Sequence, residues 1–305
     1  MRVVFLGTSS ATPTPQRFLP SVALMRQGDI FLLDCGEGSQ IRFRRAGLRF
    51  SRLRWLLVSH MHGDHITGLL GLLMSLQMAE RTAPLEIAGP VGLQDYILTN
   101  RRLLRTEFGY ELRFTELTEP FEVVYDGPDF RLEAARLDHR LSTYGYALAE
   151  KPLPGRFQAE VAAELGVPFG PLCGRLQRGE AVTLDDGRVV LPEQVLGPSR
   201  PGRRVAYVTD TRPCPGGVLL AESADLLIHE ATFGADLADE ARVKKHSTTR
   251  EAAEVARLAG ARHLVLTHFS PRYVDLEALR AEAAELFEPV DVAWDLREFV
   301  LEPVP

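Results

Sequence analysis

Four potential metal ligands fall within six consecutive residues, His60-Met61-His62-Gly63-Asp64-His65. Imidazole and carboxylate are the donors that suit zinc and its divalent neighbours. One ion rarely takes four ligands packed so tightly. His60 and His62 are therefore expected to serve one ion, while Asp64 and His65 turn toward a second. A solvated histidine-rich loop would have the same composition, but its flanks would be polar. Here Leu53-Arg54-Trp55-Leu56-Leu57-Val58-Ser59 reads as a buried strand and 66–80 as an apolar helix. The donors thus sit on a strand-to-helix turn, and their spacing predicts a dinuclear metal site.

Further donors stand where later strands end: His139, Asp210, Glu230 and His268. In layered α/β folds, sites gather at one end of the sheet, so these side chains are expected to meet. His60, His62 and His139 would hold one ion, and Asp64, His65 and His268 the other. Asp210 would bridge the two with its two oxygens, each ion keeping an open position as catalytic sites do. Taken singly, His139 reads equally well as a structural histidine, and Asp210 as a turn residue before Thr211-Arg212-Pro213.

Positioning these groups requires alternating strands and helices, and the chain reads that way. A strand over 1–7 is followed by a hairpin, 21–26 with 30–34, around Gln27-Gly28-Asp29. Cys35-Gly36-Glu37-Gly38 turns into a helix near Ser39. Beyond the metal turn come a strand at 85–88, a helix over 91–105, and strands at 111–117, 121–125, 130–137 and 144–149. Residues 151–202 break the rhythm with repeated proline and glycine. There the pattern yields only a short helix at 157–165 and a hairpin around Asp185-Asp186-Gly187. This stretch is expected to be an insertion into a single 1–305 domain. Strands resume at 203–208, 225–228 and 264–266. Helices follow a Thr248/Glu251 capping box and span 275–287, and two short strands finish the chain.

A chain of 305 residues that is 45% hydrophobic can bury a sizeable core. No apolar run reaches membrane-spanning length and no signal-peptide pattern opens the sequence, so no membrane partner is expected. Cys35, Cys173 and Cys214 are scattered, which disfavours a disulfide framework and points to a reducing, cytoplasmic setting. The net charge of −6 argues mildly against wholesale nucleic-acid binding. Two divalent ions would, however, add four positive charges at one spot. Arginines 42, 44, 45, 49, 52 and 54 read either as a solvated face or as a contact to a phosphate backbone.

Together these segments resemble the short-form ribonuclease Z family, tRNA 3′-processing endonucleases of the metallo-β-lactamase superfamily. The metal turn marks the superfamily alone. His229-Glu230-Ala231-Thr232-Phe233, His246-Ser247-Thr248 and Thr267-His268-Phe269-Ser270-Pro271-Arg272-Tyr273 narrow it, with Phe5-Leu6-Gly7-Thr8 and Leu33-Asp34-Cys35-Gly36-Glu37-Gly38 extending the match toward the N-terminus. The resemblance implies an α/β fold, a four-layer αββα sandwich, with 151–202 as a flexible protruding arm that grips the tRNA elbow. It further implies a homodimer, precursor tRNA as partner, and two zinc ions per chain, with manganese or another divalent ion as alternatives. A pair of such ions activates water near neutral pH and stabilises charge on a phosphodiester. Asp64 would be both ligand and general base. His246 would protonate the leaving oxygen, oriented by Glu230; without the resemblance it reads as a helix-capping histidine. Arg17 and Arg272 would touch the substrate. His229 and His263 read as structural. Pro13-Thr14-Pro15-Gln16-Arg17-Phe18 departs from the family's Pro-x-Lys-x-Arg-Asn by lacking its lysine and asparagine.

The expected function is a zinc-dependent endoribonuclease that removes the 3′ trailer from precursor tRNA. It would leave a 3′-hydroxyl on the tRNA and a 5′-phosphate on the trailer. A small-molecule phosphodiesterase or other hydrolase of the superfamily would share the turn but has no reason to keep a long Gly/Pro insertion. A non-enzymatic RNA-binding member has no reason to keep all seven ligands.

Overall fold

The computed structural model describes residues 1–302; residues 303–305, part of the expected 1–305 domain, lie outside the described residues. The chain divides into two compact units, 1–149 with 204–302, and 150–203. The first opens with β1 (Arg2–Gly7), β2 (Ser21–Arg26), β3 (Asp29–Leu33), α1 (Ser39–Arg45), β4 (Leu53–Leu57), α2 (Gly63–Ile66) and α3 (Leu69–Met78). It continues through β5 (Leu85–Pro90), α4 (Leu93–Leu103), β6 (Leu112–Leu117), β7 (Phe121–Asp126), β8 (Phe130–Leu137) and β9 (Thr143–Glu150). The second unit holds α5 (Ala159–Glu164), α6 (Pro171–Gln177), β10 (Val182–Thr183), β11 (Val189–Val190) and α7 (Pro192–Val195). The first then resumes with β12 (Arg204–Val208), α8 (Pro215–Ala221), β13 (Leu226–Glu230), α9 (Ala238–Lys244), α10 (Thr249–Ala259), β14 (Leu264–Thr267), α11 (Glu277–Ala284), β15 (Val290–Val292) and β16 (Glu298–Val300).

Two seven-stranded sheets organise the first unit, in the orders β16-β1-β2-β3-β4-β5-β6 and β15-β14-β13-β12-β9-β8-β7. The inner strands are buried on both faces, which is why β14 reads as a continuous apolar run, while β6 and β7 at the sheet edges carry exposed residues. In β1, Val3 and Phe5 face the second sheet, packing in one core with Leu132, Tyr146, Tyr207 and Ile228. Val4 and Leu6 face outward against Phe43 of α1, Leu72 of α3 and Ile97 of α4. On the far side, Ala206, Val208 and Leu227 meet Leu220 of α8, Val255 of α10 and Leu279 of α11. Helices therefore cover both outer faces, the expected αββα order.

The second unit has a small core of its own, including Ala162, Leu176, Val182, Val190 and Val195. Its two ends are joined by an Arg203–Glu150 ion pair at 2.7 Å. The hairpin β10–β11 turns at Asp185-Asp186-Gly187, with Gly187 in the left-handed region at φ +83°.

Four helices escape the sequence pattern because they are short and start at proline or carry few apolar residues: α6, α7, α8 and α9. Gly216 of α8 lets the helix lie on β8, since a Cβ there would come within 2.1 Å of the Arg136 carbonyl oxygen. The helix expected over 66–80 is instead broken at Thr67-Gly68. Gly68 donates to the Cys35 carbonyl at 2.9 Å, and a Cβ on it would sit 2.1 Å from the Gly36 oxygen. This close approach clamps the metal turn against the end of β3.

Two tyrosines of the second sheet reach across the core to the first. Tyr146 donates to the Val58 carbonyl at 2.6 Å, and Tyr207 to the Asp34 carboxylate at 2.8 Å. Tyr207→Phe deletes a fully buried bond to a charged acceptor. It is expected to cost the metal-free protein about 1–3 kcal/mol, read as a lower urea midpoint at unchanged slope. An unchanged midpoint would show that this bond adds nothing to the joining of the sheets.

Candidate metal centre

The strands deliver their terminal residues to one place. Asp34 follows β3, His60 follows β4, and His62 caps the short helix α2, which carries Asp64 and His65. His139 follows β8, Asp210 follows β12, Glu230 ends β13 and His268 follows β14. Because β12, β13 and β14 are parallel neighbours, their C-terminal ends lie at one edge. Asp34, Asp210 and His268 each have positive φ, +57°, +41° and +59°, turning the chain sharply as the strand stops. Such backbone costs an L-residue energy and persists where the side chain is needed.

Among the described residues, three overlapping donor groups form, and the third, Asp210 with His246 and His268, shares residues with the other two. His60, His62, His139 and Asp210 make the first, and Asp64, His65 and His268 the second, the ligand atoms in each lying within 4.8 Å of one another. Asp210 serves both sides. Its Oδ2 lies 3.7 Å from His60 Nε2 and 4.0 Å from His139 Nε2. Its Oδ1 lies 3.3 Å from His65 Nε2 and 3.2 Å from His268 Nε2.

The outer ring nitrogens explain why the inner ones point inward. His65 Nδ1 donates to Asp34 Oδ2 at 2.8 Å. His60 Nδ1 lies 2.9 Å from Ser59 Oγ, whose own proton goes to Asp34. His139 Nδ1 donates to the Lys245 carbonyl at 2.8 Å, and His268 Nδ1 to Thr232 Oγ1 at 2.9 Å. A histidine that spends Nδ1–H this way presents the Nε2 lone pair to a cation. His65 Nε2 and His268 Nε2 are buried and have no hydrogen-bond partner in the protein. A divalent ion fits these orphaned nitrogens facing carboxylate oxygens.

Electrostatics agree. Burial opposes a charge on Asp210, but the neighbouring histidines 268, 65 and 60 hold its carboxyl well below the ordinary range. Asp64 is likewise depressed despite its burial, by His268 and His65. Burial also opposes a charge on His65, yet Asp210 and Asp34 on either side raise its pKa well above the usual value. Burial and the His65 charge together push His60 well below it. In the metal-free protein a proton on His65 therefore stands in for a cation.

At the rim, His246 Nδ1 lies 2.8 Å from Glu230 Oε1. Burial alone would lower the His246 pKa, but Glu230, and Asp210 behind it, lift it to about 9. Arg17 is nearly buried and donates to the Ser270 carbonyl at 3.2 Å, close in sequence to His268. Arg272 is held by Glu240 at 3.0 Å and lies over the Phe233 ring. His229 is buried and donates to the Glu230 carbonyl at 2.7 Å, while His263 pairs with Asp291 at 2.9 Å. The supporting residues Asp34, Ser59, Thr232, Tyr207 and the Lys245 carbonyl had no assigned part in the sequence reading. For Asp34 a signal existed, since it too stands directly after a strand.

Uptake of an ion must displace the His65 proton, so binding is expected to release protons and to strengthen as pH rises. The sign follows from a raised pKa: below it the proton competes, and above it competition fades. Calorimetry in buffers of differing ionisation enthalpy counts the protons. An affinity independent of pH would mean that His65 is already neutral.

Over residues 1–125 the chain matches the family model of the anti-Pycsar protein Apyc1, and over 194–269 that of a beta-lactamase superfamily domain. It is 44% identical to a ribonuclease Z of Cyanothece sp., covering 99% of this chain and 96% of that one. To the ribonuclease Z of Salinibacter ruber it is 46% identical, covering 99% and 94%. The solved structure of human tRNase Z, short form, is 31% identical with a TM-score of 0.73, covering 99% of this chain and all of that one. A metallo-beta-lactamase fold protein from Bacillus subtilis, 18% identical with a TM-score of 0.69 and covering 98% of each chain, shares the fold. With that fold and near-full-length identity of this order, the chain belongs to the ribonuclease Z family.

Proposed function

We propose that this hydrolase is a zinc-dependent endoribonuclease that removes the 3′ trailer from precursor tRNA. It leaves a 3′-hydroxyl on the tRNA and a 5′-phosphate on the trailer. The observation that carries the reading is the Glu230–His246 pair standing at 2.8 Å beside the first two donor groups. A cradle for cations with a carboxylate-backed imidazole at its rim suits a reaction that must stabilise phosphate charge and protonate an alkoxide. Two zinc ions held by His60, His62, His139, Asp64, His65, His268 and Asp210 supply Lewis-acid stabilisation of that charge and make water acidic.

The chain's own groups divide the proton transfers. Asp64 is held ionised, and one of its oxygens accepts the Ala11 N–H at 2.9 Å, which fixes the carboxylate. It takes the proton of the attacking water. His246 is charged at neutral pH through Glu230, and with Nδ1 occupied it delivers a proton from Nε2 to the departing 3′ oxygen. Cations nearby lower its pKa, so in the loaded enzyme it titrates below about 9. Residues 151–202, with six basic and six acidic side chains, grip the tRNA by shape and backbone donors. Arg17 and Arg272 contact the RNA, and the working form is a cytoplasmic homodimer.

The direct test is cleavage of a 3′-extended tRNA with and without chelator. Chelator-sensitive cutting at the tRNA 3′ end is expected; equal cutting of unstructured RNA, or none, would overturn the reading. Deleting residues 155–195 is expected to abolish that cleavage while sparing hydrolysis of an activated small phosphodiester. Parallel loss of both would argue that the insertion supports the catalytic unit itself.

His246→Ala separates the acid from the cradle. Precursor cleavage is expected to slow by about 10²–10⁴-fold. Hydrolysis of a nitrophenyl phosphodiester, whose leaving group departs without a proton, should change far less. Equal losses on both substrates would remove His246 from the role of acid.

A further inference from the structure

Thr232 stands two residues beyond Glu230, is only 3% exposed, and is the meeting point of the acid pair and the metal cradle. Its Oγ1 lies 2.5 Å from Glu230 Oε2, 2.9 Å from His268 Nδ1 and 3.3 Å from His246 Nδ1. A hydroxyl has one proton to give and two lone pairs to receive. Glu230 Oε2 is the acceptor among these three neighbours, so the Thr232 proton goes there. The hydroxyl oxygen is then left to accept from His268 Nδ1–H, which fixes the tautomer whose Nε2 is bare. That Nε2 faces Asp210 Oδ1 at 3.2 Å with no hydrogen-bond partner. Glu230 is fully buried, and Thr232 supplies two of its donors, the hydroxyl and a backbone N–H at 3.1 Å. The Thr211 N–H at 2.7 Å and His246 Nδ1 complete the set on Oε1. The backbone holds this register: Ala231 N–H donates to the Thr267 carbonyl at 2.8 Å and Ser270 N–H to the Thr232 carbonyl at 3.2 Å.

We infer that Thr232 is a positioning residue whose hydroxyl ties His268 to the Glu230–His246 pair, keeping the ligand nitrogen and the acid in one fixed relation. The inference rests on the metallonuclease reading above but assigns a part to a residue that does not touch the substrate. Thr232→Val preserves the side chain's shape and deletes the hydroxyl, leaving the His268 Nδ1–H without its acceptor and Glu230 short of one donor. Thr232→Ser keeps the hydroxyl and loses only a methyl group.

Zinc affinity, titrated against a chromophoric chelator, is expected to fall about 10–100-fold in Thr232→Val. On precursor tRNA, kcat should drop while KM holds. Thr232→Ser should recover both. Should Thr232→Val not fold, nitrogen-15 NMR of histidine-labelled, metal-free wild type decides: the His268 proton is expected on Nδ1. A Thr232→Val protein equal to wild type in affinity and kcat, a Thr232→Ser protein as impaired as Thr232→Val, or a His268 proton on Nε2 would each overturn the inference. Failure of the wild type to bind zinc or to cut precursor would instead strike the nuclease reading.

Discussion

The arrangement turns on one buried carboxylate. Asp34 has no exposure and receives four hydrogen bonds, from the Ser59 N–H and hydroxyl, His65 Nδ1 and the Tyr207 hydroxyl. An isolated charge in such a place would be prohibitively costly. Here the donors come from the turn after β4, from His65 and from a strand of the opposite sheet. The need to solvate a single anion with protein groups therefore locks together three parts that would otherwise be free to shift. Removing one donor leaves the rest of the cost in place, which is why such networks hold their geometry tightly.

The cradle itself works against the fold. Histidines and carboxylates are gathered where burial disfavours their charges, and three strand-end residues adopt left-handed backbone to face inward. What offsets this is the surrounding sandwich: inner strands buried on both faces, and helices on both outer sides. Local rules are broken at the site and kept elsewhere, the usual division between function and stability. A bound cation would remove much of the penalty by pairing lone pairs that now face carboxylate oxygens.

The clustered donor residues and the Glu230–His246 pair share a scaffold. The Lys245 carbonyl fixes His139, and Lys245 itself pairs with Asp138 at 2.9 Å. Arg212, two residues after Asp210, also pairs with Asp138. The loops carrying His139, Asp210 and His246 are thereby pinned through one carboxylate.

Sequence alone determined the pattern of donor residues and most of the elements. The tight His60–His65 cluster on a strand-to-helix turn, the donors at successive strand ends, the hairpin at Gln27-Gly28-Asp29 and the Thr248/Glu251 capping box are local patterns, and the structure has each of them. Local patterns are legible because period, turn residues and caps depend on neighbours in the chain. Tertiary structure alone decided the break at Gly68, set by a carbonyl from a distant turn, and the short helices α6, α7, α8 and α9. It also decided which polar residues support the clustered histidines and carboxylates. Asp34, Thr232 and Tyr207 look like ordinary turn or strand residues, yet Asp34 meets Ser59 25 positions away and Tyr207 173 away, and Thr232 meets His268 36 away. A buried polar group must be satisfied by whatever packing brings near it, and packing is a property of the folded chain.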